Sequence, residues 1–174
     1  MALLTVYKFP HPVLKRTAQP VTRFDADLGR LAADMLETMV AEDGIGLAAV
    51  QVGQLKRLVV TDVFEHGEGE AERPRPHDPR VWVNPEIRER SGETVTEEGC
   101  LSVVDFRAEI RRAARITLAY QTLAGELRTE ELEGLTAVCL QHEIDHLNGV
   151  LFIDHLPPLK RQIVRKRLAK LRSA

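Results

Sequence analysis

The amino-acid sequence predicts an α+β fold in which antiparallel or mixed β-sheets pack around a central helix, with one further helix towards each end of the chain. Three observations lead there. Apolar residues recur with helical spacing around positions 28–39, 138–147 and 159–171. Two segments, 114–120 and 126–131, alternate with the period of a half-buried strand. Strands precede and separate the helices without the regular strand–helix alternation that builds a parallel sheet.

In chain order, a first helix is expected from about Asp27 to Glu42, because Leu28, Leu31, Ala32, Met35, Leu36 and Met39 share one face. Asp25 or Asp27 can cap its start, and Gly44 and Gly46 end it. The small-residue stretch 46–53 lets backbone or ligand approach closely. Arg57 to Val63 reads as a strand. Residues 64–80, rich in Gly, Pro and charge, read as a long exposed loop. Val81 to Asn84 is a short strand, and two strands over Ala114–Tyr120 and Glu126–Glu131 join near Ala124-Gly125. The central helix runs from about Leu135 to Asn148 and stops at Gly149. Pro157-Pro158 starts the last helix, with Leu159, Ile163, Val164, Leu168 and Leu171 as its apolar stripe.

The 174 residues suit a single domain spanning 1–174, and no apolar run approaches membrane-spanning length. The start of the chain shows no signal or transit leader, so a cytoplasmic protein is expected. Its two cysteines, Cys100 and Cys139, are then free thiols or metal ligands rather than a disulfide. The net charge of −2 hides an asymmetry: residues 1–159 carry 17 basic against 26 acidic side chains, while seven basic residues crowd the last fifteen positions. An anionic partner would therefore meet the basic helix over 158–172.

The strongest chemical signal is His142-Glu143-Ile144-Asp145-His146 on the central helix. Positions 142 and 146 lie one turn apart on the same face, so two imidazoles can share one metal ion while Glu143 handles a proton beside them. A catalytic site of this kind wants three protein ligands and one open position. Position 152, where one large protease class carries a third His, is Phe152, and nothing acidic follows Asp154. His155 is a candidate ligand that no spacing rule supports. Cys139 lies roughly 10 Å along the helix axis from His146, too far for one ion, and reads as a small core residue. Cys100, in the glycine-flanked turn 97–102, can approach from another element. Three readings stand at this point: a metallohydrolase, including a peptidase sharing only the His-Glu-x-x-His core; a non-catalytic module stabilised by metal; and two core or surface histidines on an ordinary helix.

Three stretches, taken together, resemble the signature motifs of bacterial peptide deformylases in order and in spacing. They are Gly44-Ile45-Gly46-Leu47-Ala48-Ala49-Val50-Gln51, Glu98-Gly99-Cys100-Leu101-Ser102, and Gln141-His142-Glu143-Ile144-Asp145-His146. The likeness runs from about Tyr7 to Leu171. It implies a single divalent metal, natively Fe²⁺ and replaceable by Zn²⁺ or Ni²⁺, held by Cys100, His142 and His146. It implies removal of the formyl group from N-formylmethionyl nascent peptides by hydroxide generated at that metal, with Glu143 as general base and then acid. The Gln51 side chain and the Leu101 backbone N–H would stabilise the oxyanion. Gly46 would admit an extended substrate close to the backbone, and Ile45, Leu101, Val138 and Cys139 would wall a pocket for the methionine side chain. No membrane partner is implied and a monomer is expected; the basic helix reads first as the solvated polar face of a packed helix, with contact to ribosomal RNA as the second reading.

One stretch departs from the family pattern. A proline and then a Gly or short polar segment commonly follow Cys-Leu-Ser-Val; this chain has Val104-Asp105-Phe106. The departure is expected to touch the shape of the substrate groove rather than the metal chemistry. Arg107 or Arg112 is a candidate partner for Glu98, with solvated surface charge as the default for both. His66 and His77 are expected to be solvated.

Overall fold

A computed structural model of the chain describes residues 2–64 and 78–173. His66, His77 and most of the segment read as a loop lie outside the described residues. The elements are α1 (Ala26–Ala41), β1 (Gly46–Ala48), β2 (Leu58–Asp62), β3 (Pro79–Ser91), β4 (Thr94–Cys100), β5 (Val103–Arg112), β6 (Arg115–Gln121), β7 (Leu127–Glu133), α2 (Gly134–Leu147) and α3 (Pro158–Ser173). Five strands form one sheet in the order β1-β2-β3-β6-β7, and β4 and β5 form a second. Every pairing of these strands is antiparallel. The α+β expectation is met.

Local chemistry accounts for the element ends. Asp25 caps α1, its carboxylate accepting from the Leu28 N–H at 3.1 Å, and so answers one of the unpaired donors of the first turn. Leu28, Ala32, Met35 and Met39 pack beneath it against Leu47, Leu58, Val60 and Val83. The stop comes at Asp43, in the left-handed region at φ 58°, one residue ahead of the glycines expected to end the helix. Gly149, at φ 74°, follows the end of α2 in the same conformation; a Cβ there would lie 2.5 Å from the Lys15 carbonyl oxygen, so only glycine fits.

β3 is much longer than the expected Val81–Asn84. It runs through Pro85, which a sheet interior resists, because the pairing with β6 is irregular between Val83 and Glu86. Asn84 takes a positive φ there, and its side chain ties β3 to the Val21 backbone and to Gln121. β4 and β5 were not anticipated as strands at all. In β4 the inward positions include Thr96 and Glu98 while Val95 is 53% exposed, so its polarity runs opposite to an ordinary half-buried strand; β5 alternates in the ordinary sense, burying Val103, Ala108 and Ile110, and adds one buried charge, Arg112.

The central helix α2 is buried on nearly every side. Ala137, Leu140, Ile144 and Leu147 pack on the large sheet with Val59, Trp82, Ile116 and Leu118. The opposite side of α2 meets β4 and β5, and this places its histidines next to Cys100. A third cluster joins Val103, Ala108 and Ile110 of β5 to Phe152, Ile153, Val164 and Leu168. The stripe expected on α3 is therefore divided: Val164 and Leu168 are buried, whereas Leu159, Ile163 and Leu171 are exposed. No helix among the described residues is long and apolar enough to cross a membrane.

Candidate metal centre

One turn of α2 brings His142 and His146 to the same face, and the bend between β4 and β5 brings Cys100 to them. His146 Nε2 lies 3.3 Å from Cys100 Sγ and 3.3 Å from His142 Nε2, and one ligand atom from each residue lies within 4.8 Å of the others. A tetrahedral ion with metal–nitrogen bonds of about 2.0 Å and a metal–sulfur bond of about 2.3 Å separates its donors by roughly 3.3–3.6 Å. Lone pairs of two imidazoles and a sulfur crowd together at that spacing only around a shared proton or cation. The donor set and its geometry thus fit one divalent ion. Cys139 is not part of the cluster; its sulfur lies 3.8 Å from the Ile45 carbonyl oxygen, in the position of a small wall residue. His155 is not part of it either.

The surroundings prepare these donors electrostatically. Burial would raise the Cys100 thiol, but His146 and His142 beside it hold it well below its ordinary value, which favours the thiolate. The Ser102 N–H donates to that sulfur at 3.4 Å. His142 Nδ1 donates to Glu98 Oε1 at 2.8 Å, which leaves Nε2 to face the cluster. Burial would also raise Glu98, yet hydrogen bonds from Arg112 and His142 hold it down at about 2, so it is a carboxylate. Arg112 grips it with two bonds of 2.8 Å, Nε to Oε2 and Nη2 to Oε1. Solvated charge, the default for both arginines, is corrected for Arg112, which is buried; Arg107 is 61% exposed beside Glu97.

Glu143 sits against the cluster in a buried position on the cavity wall. Its Oε2 is buried with no hydrogen-bond partner among the described residues, and burial foremost raises its pKa. Gly46 of β1 comes so close that a Cβ on it would lie 2.7 Å from both Glu143 Oε1 and Cys139 Sγ. The short turn after β1 brings in Gln51, whose Oε1 accepts from the Ala48 N–H at 2.9 Å. Its Nε2 donates to Ser102 Oγ at 3.1 Å and stands 3.7 Å from Cys100 Sγ. The bend carrying Leu101 is pinned from the N-terminal segment: Lys8 Nζ donates to the Leu101 oxygen and the Phe9 N–H to the Ser102 oxygen, both at 2.7 Å.

These groups open onto a cavity of about 500 Å³ between β1 and β4. Ile45, Leu101, Val138 and Cys139, the four residues expected to wall a side-chain pocket, all line it. The departure at Val104-Asp105-Phe106 lies elsewhere, contrary to expectation. Asp105 takes φ 60°, the conformation a glycine would supply, and Phe106 stacks on Phe152. Phe152 in turn stacks on His142, with centroids 5.9 Å apart. The departure therefore bears on the packing behind a metal-site histidine. Sequence reasoning had no role for Lys8, Phe152 or Asp145; the position of Asp145 inside the His-Glu-x-x-His stretch was the one available signal.

Comparison with known proteins agrees with this architecture. The family model described as polypeptide deformylase matches residues 3–162. A peptide deformylase of Phenylobacterium zucineum is 49% identical over 171 residues, covering 98% of this chain and 97% of the relative. The crystal structure of a peptide deformylase from Legionella pneumophila superposes with a TM-score of 0.86 at 41% identity, covering 99% of this chain and 96% of that one. That of a peptide deformylase from Ehrlichia chaffeensis gives 0.89 at 35% identity, covering 99% and 98%.

Proposed function

The chain belongs to the polypeptide deformylase family, and from that premise we propose that the cavity between β1 and β4 is where it hydrolyses its substrate. The protein is a metal-dependent hydrolase that removes the N-formyl group from the N-terminal methionine of newly made polypeptides and releases formate. In our reading Cys100, His142 and His146 hold the metal. The chemistry a divalent ion supplies there is to lower the pKa of water towards neutrality and to polarise the formyl oxygen. A set of two imidazoles and one thiolate suits Fe²⁺, the ion we take as resident, with Zn²⁺ or Ni²⁺ as substitutes.

Glu143 accepts a proton from the attacking water and returns it to the departing amine nitrogen. Its raised pKa and its buried Oε2, without a partner among the described residues, support a group that must hold a proton part of the time. Gln51 Nε2 and the Leu101 N–H serve as donors to the oxyanion as the formyl carbon becomes tetrahedral. Lys8, bonded to the next carbonyl, steadies that bend. Among the described residues β1 pairs on one side only, so an extended substrate can add to its other edge next to Gly46. Ile45, Leu101, Val138 and Cys139 then receive the methionine side chain.

The catalytic unit is proposed to be a monomer spanning 1–174. The cytoplasm, where ribosomes release formylated chains, is its proposed setting. Seven basic residues near the C-terminus support contact of α3 with ribosomal RNA, although Arg161 and Arg165 turn to Asp154. Unchanged ribosome association at low salt after removal of α3 would refute that contact.

The single observation that carries the reading is the convergence of Cys100, His142 and His146 within 4.8 Å, with Glu143 beside them in the cavity. Its test is formate release from a formyl-Met tripeptide by the Fe²⁺-loaded protein under low oxygen. Rapid release is expected; none from folded, metal-filled protein contradicts the assignment.

A further inference from the structure

Behind the metal centre, hydrogen bonds continue outward and end at the surface on His155. His142 Nδ1 donates to Glu98 Oε1 at 2.8 Å, and Arg112 grips both oxygens of the same carboxylate. The remaining arm of Arg112, Nη1, donates to Asp145 Oδ2 at 2.7 Å, and His155 Nε2 donates to that same oxygen at 2.8 Å. Side-chain exposure rises along the path, from 5% at Arg112 to 24% at Asp145 and 40% at His155. The 3.4 Å approach of Arg112 Nη1 to His155 Nε2 is two donors sharing one acceptor.

The path is a closed loop through the fold. It leaves α2 at His142, crosses Glu98 on β4 and Arg112 on β5, and returns to α2 at Asp145, the neighbour of His146. It ties the helix carrying both imidazoles to the strands carrying Cys100. Glu98 has both oxygens occupied and Arg112 donates from all three nitrogens, so the planar guanidinium has one orientation available. Asp145 is the outermost and wettest member of the loop. His155 covers its exposed side from the short turn Phe152–His155, and Phe152 of that turn stacks on the His142 ring.

We propose that His155 is a positioning residue for the metal centre: by holding Asp145 it fixes Arg112 and Glu98, and through them the orientation and tautomer of His142. This rests on the reading of His142 as a metal ligand. Removing His155 leaves Asp145 free to turn towards water, and the loss passes inward to the Nδ1–H of His142.

The test uses the full chain loaded with zinc, followed by NMR of the imidazole protons and by transfer of zinc to a chromogenic chelator. In His155→Ala the His142 Nδ1–H resonance shifts and exchanges faster with water, and zinc leaves about tenfold faster. His155→Gln, which keeps an N–H for Asp145, restores both. Asp145→Asn gives the same signature, and adding His155→Ala to it changes little further, because both lie on one path. An unmoved His142 signal with unchanged zinc release in His155→Ala overturns the proposal, as does simple additivity of the two substitutions. Reduced thermal stability with an unmoved His142 signal overturns it too, making His155 a fold contact only. Zinc retained by Cys100→Ala would instead sink the metal-centre reading itself.

Discussion

Gly46 and Glu143 approach so closely that a single methyl group cannot be inserted between them. A Cβ at position 46 would stand 2.7 Å from Glu143 Oε1 and 3.0 Å from its Cγ. Glu143 can yield only by leaving its place beside the cluster. Gly46→Ala is therefore expected to fold and to bind metal, yet to lose about 10²-fold in kcat/KM, the scale of a misplacement near 1 Å. Formate release at the parental rate would show that Glu143 has room the packing does not indicate.

Glu143→Gln keeps the shape of the side chain and removes its ability to take a proton. Metal content should stay at the parental level while kcat falls by at least about 10²-fold, the lower range for loss of a general base. Elemental analysis beside the formate assay separates the two effects. A variant that lost metal in proportion to activity would make Glu143 a ligand rather than a proton carrier.

The two cysteines should behave oppositely. Cys100→Ala removes the sulfur that stands 3.3 Å from His146 Nε2, and the purified protein should lack stoichiometric metal. Cys139→Ala removes a wall atom that is not among the three clustered donors and should keep its metal, with a change confined to KM for the methionine side chain. The reverse pattern of metal content would overturn the choice of ligand.

That contrast was legible in the sequence, because rise per residue along a helix already separates Cys139 from His146. So were α1 and α2, whose apolar positions keep helical period. β4 was not, for a physical reason. Its inward positions are given to Thr96, which lines the cavity, and Glu98, which holds His142, while Val95 faces out. A strand that buries function rather than hydrocarbon shows an inverted alternation. Likewise the exposed Leu159, Ile163 and Leu171 share helical spacing with buried Val164 and Leu168, and periodicity alone could not divide them.

Arg112 offers a way to separate stability from metal binding. Arg112→Met strands the Glu98 carboxylate in a buried place, at a cost of about 3 kcal/mol in denaturant unfolding. Pairing it with Glu98→Met removes the stranded charge and should recover most of that loss. Metal affinity should not follow, because Glu98→Met deprives His142 Nδ1 of its acceptor, and should lie at least about tenfold below the parent. Recovery of both together would mean that Glu98 acts on the fold alone.

Glu98 also predicts how acid acts on the metal-free protein. Its folded-state pKa of about 2 lies below the ordinary 4.5 of a glutamate. Ionised Glu98 therefore stabilises the fold fully above the ordinary value, and this contribution declines as pH falls from there towards about 2. The sign follows from proton counting: between the two values the unfolded chain binds a proton that the folded chain refuses, so lowering the pH favours unfolding. Glu98→Gln lacks this group. Its stability deficit against the parent, measured by urea unfolding, should be constant from pH 7 to about 5 and shrink steadily below the ordinary carboxylate value. A deficit that held unchanged down to pH 3 would mean that Glu98 is not the depressed carboxylate its bonds to Arg112 and His142 require.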